Sequence, residues 1–501
     1  MSDPAEKHHF LRHTGVYLLA RGLPGVIAFL AIPLFTRLLD PAGYGKYALV
    51  LATASLFSAL LSQGIALALV RLVPAWEQQP ERLKSTVLTL ALLVIAATGA
   101  GAAVAVIVPP LRPWRSMIAA GWLVLAMQQL FDLFNEYARA RLRPAQVMWL
   151  QLAKATFTVV IGAALIAAGA GWWGALVGAA LAMAAANACA FLRDWAATPL
   201  GIDRQVLPIV LRYGAPLSLT VALAGVIFSC DRFLIAWFLG DGAAGLYSAS
   251  VDLTTRTLTL LLMVISSAMF PLAVRALESA GPDAAREQMR VNASLLMAVG
   301  LPAVAALAVL SGTVADCFLG GRFRTAGSSI MPLVALGSFL AGFKAYYWDA
   351  AFQFVHKTIC QVWIVLIVAG VNVGLNLLAI PRFGINGSAA ASVLAYAASI
   401  AITIWFGRRQ FPLPFPLRPF LQICLATAAM AAGLLAFRHH QGAPALVALV
   451  AGGCLVYGTA LLAFNFMGAR DALFSRLTAA KAGGAEQANP QLEAVLVEPH
   501  G

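Results

Sequence analysis

Apolar residues run along this chain in windows of roughly twenty, long enough for a helix rising about 1.5 Å per residue to cross a hydrocarbon core of about 30 Å. Such windows lie near residues 14–38, 48–71, 85–109, 117–137, 146–168, 174–192, 213–239, 245–272, 291–314, 327–348, 358–380, 384–407, 419–437 and 443–466, separated by short connectors. The pattern predicts an all-α polytopic membrane protein of about 14 transmembrane helices.

Composition agrees. The 501 residues are 61% hydrophobic and 11% charged, against about 45–50% apolar and about 25% charged in soluble domains. A net charge of +13 raises the question of nucleic acid, but the basic residues are scattered through connectors and form no exposed run, so no nucleic-acid partner is expected. With the N-terminus placed in the cytoplasm, 21 of the 34 Lys and Arg residues fall in the N-terminal segment, the even-numbered connectors and the tail. Eight fall in the odd connectors and five inside apolar windows. That bias predicts both termini inside. Trp114, Trp122, Trp172, Trp173, Trp195, Trp237 and Trp348 lie near predicted helix ends and read as interface anchors. The first apolar run is too long for a signal-peptide core and is expected to be retained. The polar tail after Met467 reads as disordered. Six dispersed cysteines imply neither a disulfide framework nor a metal site, and no cofactor is expected.

An offset of 200 residues aligns Leu39, Gly45 and Tyr47 with Leu239, Gly245 and Tyr247, and an offset of 213 aligns Gly171, Gly174 and Leu181 with Gly384, Gly387 and Leu394. The two matches occur in the same order, so the chain reads as two six-helix lobes in a parallel repeat, with cargo between them. The expected organisation is a cytoplasmic segment 1–13, an N-lobe 14–192, an inter-lobe linker 193–212, a C-lobe 213–407, two further helices in 408–466, and a cytoplasmic tail 467–501. Gly169 to Gly174 formally matches G-x-G-x-x-G, yet it forms a turn between apolar helices with no preceding strand and is a false positive.

Arg21, Lys154, Arg232, Arg256 and Lys344 lie inside apolar windows, where a cation costs about 3 kcal/mol or more unless a cavity, partner or ligand offsets it. Arg21 lies about 12 Å into the first helix, deep for snorkelling, and its guanidinium suits an anionic group that accepts two parallel hydrogen bonds. Arg256 lies about 16 Å down the eighth helix, with Asp252 one turn earlier as a candidate ion-pair partner. Asp231 and Arg232 diverge by about 100° on a helix, so each needs another partner; a structural bridge and cargo contact are both open. Asp231 and Asp252 are coupling candidates. Lys154 is an isolated cation with cavity lining and burial both open. Lys344 lies near a cytoplasmic end and is expected to snorkel, while Asp132 and Asp349 read as interface residues. Asn372 and Asn376, one turn apart, read as inter-helix glue ahead of sugar contacts.

Three stretches carry a family resemblance: Phe35-Thr36-Arg37-Leu38-Leu39-Asp40-Pro41-Ala42-Gly43-Tyr44-Gly45; Asp231-Arg232-Phe233 leading to Gly245-Leu246-Tyr247; and Leu375-Asn376 running to Ile380-Pro381 and Gly384-Ile385-Asn386-Gly387. Over roughly residues 14 to 465 the chain resembles Wzx-type polysaccharide-biosynthesis flippases of the multidrug/oligosaccharidyl-lipid/polysaccharide (MOP) exporter superfamily. The resemblance implies a V-shaped pair of lobes in the bacterial inner membrane, opening alternately to each side and carrying undecaprenyl-diphosphate-linked oligosaccharides outward. It also implies service to O-antigen, capsule or exopolysaccharide synthesis, beside polymerase or chain-length machinery. Arg21 resembles functional arginines on the first helix of the peptidoglycan-precursor branch. Two extra C-terminal helices in some members are thought to bind the lipid tail.

Two other readings compete. A cation-coupled multidrug exporter would want acidic residues in the N-lobe, and the first helix offers Arg21 and no carboxylate. A membrane enzyme acting on sugars would want paired carboxylates or a nucleophile in a substantial loop, which the short connectors do not supply.

Overall fold

The computed structural model describes residues 23–355, 359–440, 442–468 and 470–471. Among the described residues the regular elements are all helical, and eleven stretches are long and apolar enough to cross a membrane, after a shorter apolar helix. We label them α1 (Leu23–Leu38), α2 (Pro41–Ala75), α3 (Pro80–Ile107), α4 (Pro109–Ala140), α5 (Pro144–Leu165) and α6 (Gly171–Asp194). Next come α7 (206–239), α8 (241–280), α9 (Pro282–Val309), α10 (Gly321–Gln353), α11 (360–383), α12 (385–407), α13 (Leu417–Phe437) and α14 (Ala443–Ala463). Arg21, the start of the first predicted helix and nearly all of the tail lie outside the described residues.

Three long stretches are broken at glycines, because only glycine takes a positive φ without steric cost. The breaks are at Gly169 and Gly171 between α5 and α6, Gly240 between α7 and α8, and Gly384 between α11 and α12. Gly171 (φ 56°, ψ −143°) and Gly384 (φ 61°, ψ −143°) adopt nearly the same conformation, as the offset of 213 requires. The false glycine motif is thus a helix-to-helix turn. The α2 start is set locally: Pro41 needs no N–H partner at the first turn, and the Asp40 carboxylate accepts from the Gly43 N–H at 3.2 Å.

The other repeat match marks where the two halves of the chain touch. A Cβ on Gly45 would stand 1.9 Å from the Asp241 carbonyl oxygen, and one on Gly245 would stand 1.9 Å from that of Pro41. The two contacts exchange under the offset of 200, so α2 and α8 cross about a local two-fold at backbone-to-backbone distance. Around this crossing a shared core joins Phe35 and Tyr44 to Leu253, Leu319 and Phe323. Each half also has its own core, one around Phe134, Leu176, Met183 and Trp195, the other around Leu262, Met289, Leu296 and Tyr347. The α13–α14 hairpin packs on α9, where the Tyr457 hydroxyl donates to the Ala298 carbonyl at 2.7 Å.

The segment between the halves is clipped to the start of α3. Arg82 Nε donates to Asp203 at 2.5 Å, the Asp203 N–H donates to Thr86, and Ser85 and Thr89 hold both polar groups of Gly201. The Asp203 side chain also caps α7 through the N–H groups of Gln205 and Val206. This docking corrects the reading of Trp195 as an interface anchor: its ring is 1% exposed, packed on Phe134 and Tyr137 with Lys84 above it. Trp348 is likewise buried, against Tyr347. Trp237, at 84% exposure, faces outward.

Candidate functional site: a cationic cavity between the lobes

Polar residues recur along one face of α4 as Gln128, Asp132, Asn135 and Arg139, and along one face of α5 as Gln151, Lys154 and Thr158. These spacings follow the helical period, so each helix turns a polar stripe away from its lipid-facing side. Against these stripes lies a cavity of about 810 Å³, walled by the first half of the chain and reached from the second half by Arg256. Its wall includes Gln128, Asn135, Glu136, Arg139, Gln151 and Lys154 from α4 and α5, Tyr47 from α2, Pro24 and Ala28 from α1, and Arg256 from α8. It extends from the α4–α5 turn at Leu142 and Pro144 inward to Tyr47 and Arg256. There it adjoins a second space of about 310 Å³, lined by Tyr44, Arg232 and Asp252 and sharing Tyr47, Leu51, Ser55 and Arg256. Beyond it the lobes are sealed by the Gly45–Gly245 crossing, by Thr36 accepting from the Gly320 N–H at 3.1 Å, and by Arg37 donating to the Cys317 carbonyl at 2.8 Å.

Charge on this wall is predominantly positive. Glu136 is neutralised by Arg139, which donates to both its carboxylate oxygens at 2.9 and 2.8 Å. Asp252 is taken by Arg232 at 2.5 Å, with both side chains largely shielded. This decides against the candidate pairing of Asp252 with Arg256: the guanidinium from α7 reaches the carboxylate across the helix interface, leaving Arg256 facing the cavity. Among the described residues Arg256 has no ion-pair partner and is exposed into the cavity. Lys154 is half-buried, donates to Gln128 Oε1 at 2.9 Å and lies 4.3 Å from the Phe131 ring centroid. Among the described residues the cavity therefore presents two cations, Lys154 and Arg256, with no carboxylate within ion-pair distance.

The remaining sequence candidates separate from the cavity. Asp231 is buried among α7, α8, α11 and α12, accepting from the Tyr247 hydroxyl at 3.0 Å, Ser392 at 2.7 Å and Asn376 Nδ2 at 3.0 Å. Asn376 donates further to the Asn372 side-chain oxygen at 3.1 Å, and both asparagines are almost fully enclosed, which removes them from sugar contact. Two buried oxygens in this cluster, Asn376 Oδ1 and Ser388 Oγ, have no hydrogen-bond partner among the described residues. Lys344 does not snorkel. It is buried in a π-helical turn and donates to both oxygens of Asp349 at 2.8 and 2.9 Å, so the pair turns into the protein and not out toward lipid headgroups. Asp132 likewise turns into the protein, accepting from Gln128 at 2.7 Å and Ser58 at 3.2 Å inside the N-terminal half. Gln128, Asn135, Glu136, Arg139 and Gln151 were missed as cavity residues, although the polar stripe on α4 and α5 was a readable signal.

Comparison with known proteins agrees with this architecture. The profile of a family described as polysaccharide biosynthesis protein matches residues 10–277, more than half of the chain. Among solved structures the chain is similar to the lipid II flippase MurJ in an inward closed conformation, with a TM-score of 0.72 and 13% identity over 91% of this chain and 99% of that one. It is also similar to an inward-facing multidrug resistance MATE family transporter of the MOP superfamily, with a TM-score of 0.61 and 14% identity over 79% and 98% of the two chains. A third is a MOP superfamily transporter from Pyrococcus furiosus described by the reverse polarity of its binding pocket, with a TM-score of 0.54 and 15% identity over 79% and 95%. No curated protein sequence gives a significant match. The helical architecture is that of MOP transporters, and the chain belongs to the polysaccharide biosynthesis protein family.

Proposed function

We propose that the protein is a flippase that carries an undecaprenyl-diphosphate-linked oligosaccharide from the cytoplasmic to the outer leaflet of the bacterial inner membrane, for O-antigen, capsule or exopolysaccharide synthesis. The observation that carries this reading is the pair of cations, Lys154 and Arg256, facing a polar-walled cavity at membrane depth with no carboxylate within ion-pair distance among the described residues. Such charges are offset when a cargo anion occupies the cavity, and a diphosphate presents the acceptors that an ammonium and a guanidinium satisfy. The excess of Lys and Arg in the even connectors supports a cytoplasmic position for the Leu142 end of the cavity, where such cargo is made. Arg21 remains a further candidate contact. Asp231, held by neutral donors in the C-lobe, is the coupling candidate for a proton or small cation; Asp252 is committed to Arg232.

Export of cationic drugs is disfavoured, because among the described residues the carboxylates lining the cavity and the space adjoining it, Glu136 and Asp252, are already paired with arginines. A peptidoglycan lipid-precursor flippase shares the diphosphate chemistry and is the second reading. Deletion of the gene separates the two: accumulation of undecaprenyl-linked repeat units on the cytoplasmic leaflet supports the proposal, whereas accumulation of the peptidoglycan precursor, or no lipid-linked intermediate at all, refutes it. Arg256→Ala should reproduce the deletion at normal protein level, and Arg256→Lys should restore only part of the export, because a point charge lacks the guanidinium fork.

A further inference from the structure

The cation on α5 does not stand alone. Lys154 donates to Gln128 Oε1 at 2.9 Å, the Gln128 amide donates through Nε2 to Asp132 Oδ1 at 2.7 Å, and the Ser58 hydroxyl donates to the other Asp132 oxygen at 3.2 Å. Gln128 and Lys154 line the cavity; Asp132 and Ser58 lie behind its wall. An amide has one acceptor end and one donor end. Unsecured, the Gln128 side chain could turn over and present its NH₂ to the ammonium, which would repel Lys154 from this position. Asp132 is acceptor-only when ionised, so it takes the donor end and forces the carbonyl toward Lys154. The Ser58 hydroxyl holds Asp132 in turn, and Phe131 supplies a ring face under the ammonium. One of the three Lys154 N–H donors is thereby used on the wall, leaving the others to the cavity. The other charged groups of this wall are the Glu136–Arg139 pair on α4 and Arg256 opposite on α8.

We propose that Asp132 is a positioning residue for cargo: through Gln128 it fixes the Lys154 ammonium where a cargo phosphate oxygen meets it. This rests on the reading of Lys154 as a cargo contact, and the test keeps the two apart. The probe is undecaprenyl diphosphate without sugar, titrated into the full-length detergent-solubilised protein, with bound lipid read by native mass spectrometry and folding checked by thermal midpoint. Lys154→Ala should weaken binding about tenfold or more, the loss of one charged hydrogen bond. Asp132→Leu should weaken it to a similar extent, and the double variant should bind no worse than Lys154→Ala, since the two act as one unit. Asp132→Asn should recover much of the affinity, because its side-chain oxygen can still accept from Gln128. Should Asp132→Leu prove unable to fold, Gln128→Leu breaks the same chain in the middle and should give the same loss. Wild-type binding by Asp132→Leu or Gln128→Leu, or losses that add in the double variant, would overturn the positioning role while leaving Lys154 a cargo contact. Wild-type binding by Lys154→Ala would overturn the cargo reading of Lys154 and this inference with it.

Discussion

Cations inside this membrane domain divide by what sits beside them. Arg232 and Lys344 each meet a carboxylate at 2.5 and 2.8 Å with little exposure, so their charge is offset within the fold. Removing one member of such a pair strands the other and costs about 3–5 kcal/mol. Arg232→Ala should therefore lower the thermal midpoint of the purified protein sharply, whereas Arg256→Ala, which strands no partner, should leave it close to wild type while export fails. The swapped variant, Arg232→Asp with Asp252→Arg, should recover part of the lost stability. A swap no better than Arg232→Ala would mean that the pair is held by more than its mutual charge. Arg256 can be given a transport role because its cation has no such partner among the described residues.

At the level of helices, the crossing of α2 and α8 admits no side chain. A methyl group at Gly45 or Gly245 would meet carbonyl oxygen at 1.9 Å, far inside contact distance, and the obstacle is backbone that cannot rotate away. Gly45→Ala and Gly245→Ala should each force the two helices apart at the sealed end of the cavity. The nearby Tyr44 and Phe323 rings, 5.7 Å apart across this seal, offer a gauge. Cysteines at Tyr44→Cys and Phe323→Cys should be bridged readily by a short bifunctional maleimide in the parent and slowly once Gly45→Ala is added. Equal cross-linking in both would show that the crossing relaxes without separating the lobes. Gly452→Ala on α14, where no atom lies within 4 Å, is the matched control and should change nothing.

Across the whole molecule, two effects follow from how the halves are joined and charged. The Asp203 carboxyl in the inter-lobe segment is held below its ordinary value, first by the hydrogen bond from Arg82 and then by the Gln205 and Val206 N–H groups. A depressed carboxyl stabilises the fold above its unfolded value of about 3.9 and ceases to do so as pH falls through the lower folded value. The midpoint difference between wild type and Asp203→Asn should thus be full at neutral pH and shrink below about pH 4. A constant difference down to about pH 3 would assign the clip to neutral contacts alone. The second effect concerns energy. A diphosphate diester with about two negative charges gains up to about 4.6 kcal/mol on moving outward across about 100 mV, inside negative, if the cavity cations stay on the protein. Flipping in vesicles should accordingly slow when valinomycin and potassium clamp the potential to zero with ion gradients intact. Undiminished rates under the clamp would show that ion coupling suffices.

Much of this is legible in the sequence. Hydropathy set the class and the helix positions, because a backbone crossing a lipid layer must satisfy its own polar groups, leaving long apolar helices as the solution for such segments. The glycine matches Gly45/Gly245 and Gly171/Gly384 marked the repeat, since a close crossing and a positive-φ turn both demand glycine in either half. Individual charges could be found at membrane depth for the same reason. Their partners could not, because partnership depends on which helices face each other. Local spacing favoured Asp252 with Arg256, but packing of α7 against α8 gave Asp252 to Arg232. Proximity to a helix end favoured snorkelling for Lys344, but a π-helical turn folded it inward onto Asp349. The sequence by itself determined a multi-pass helical membrane protein with buried cations; the tertiary structure alone decided which of those cations face a cavity, because a charge is neutralised by what is near in space and not by what is near along the chain.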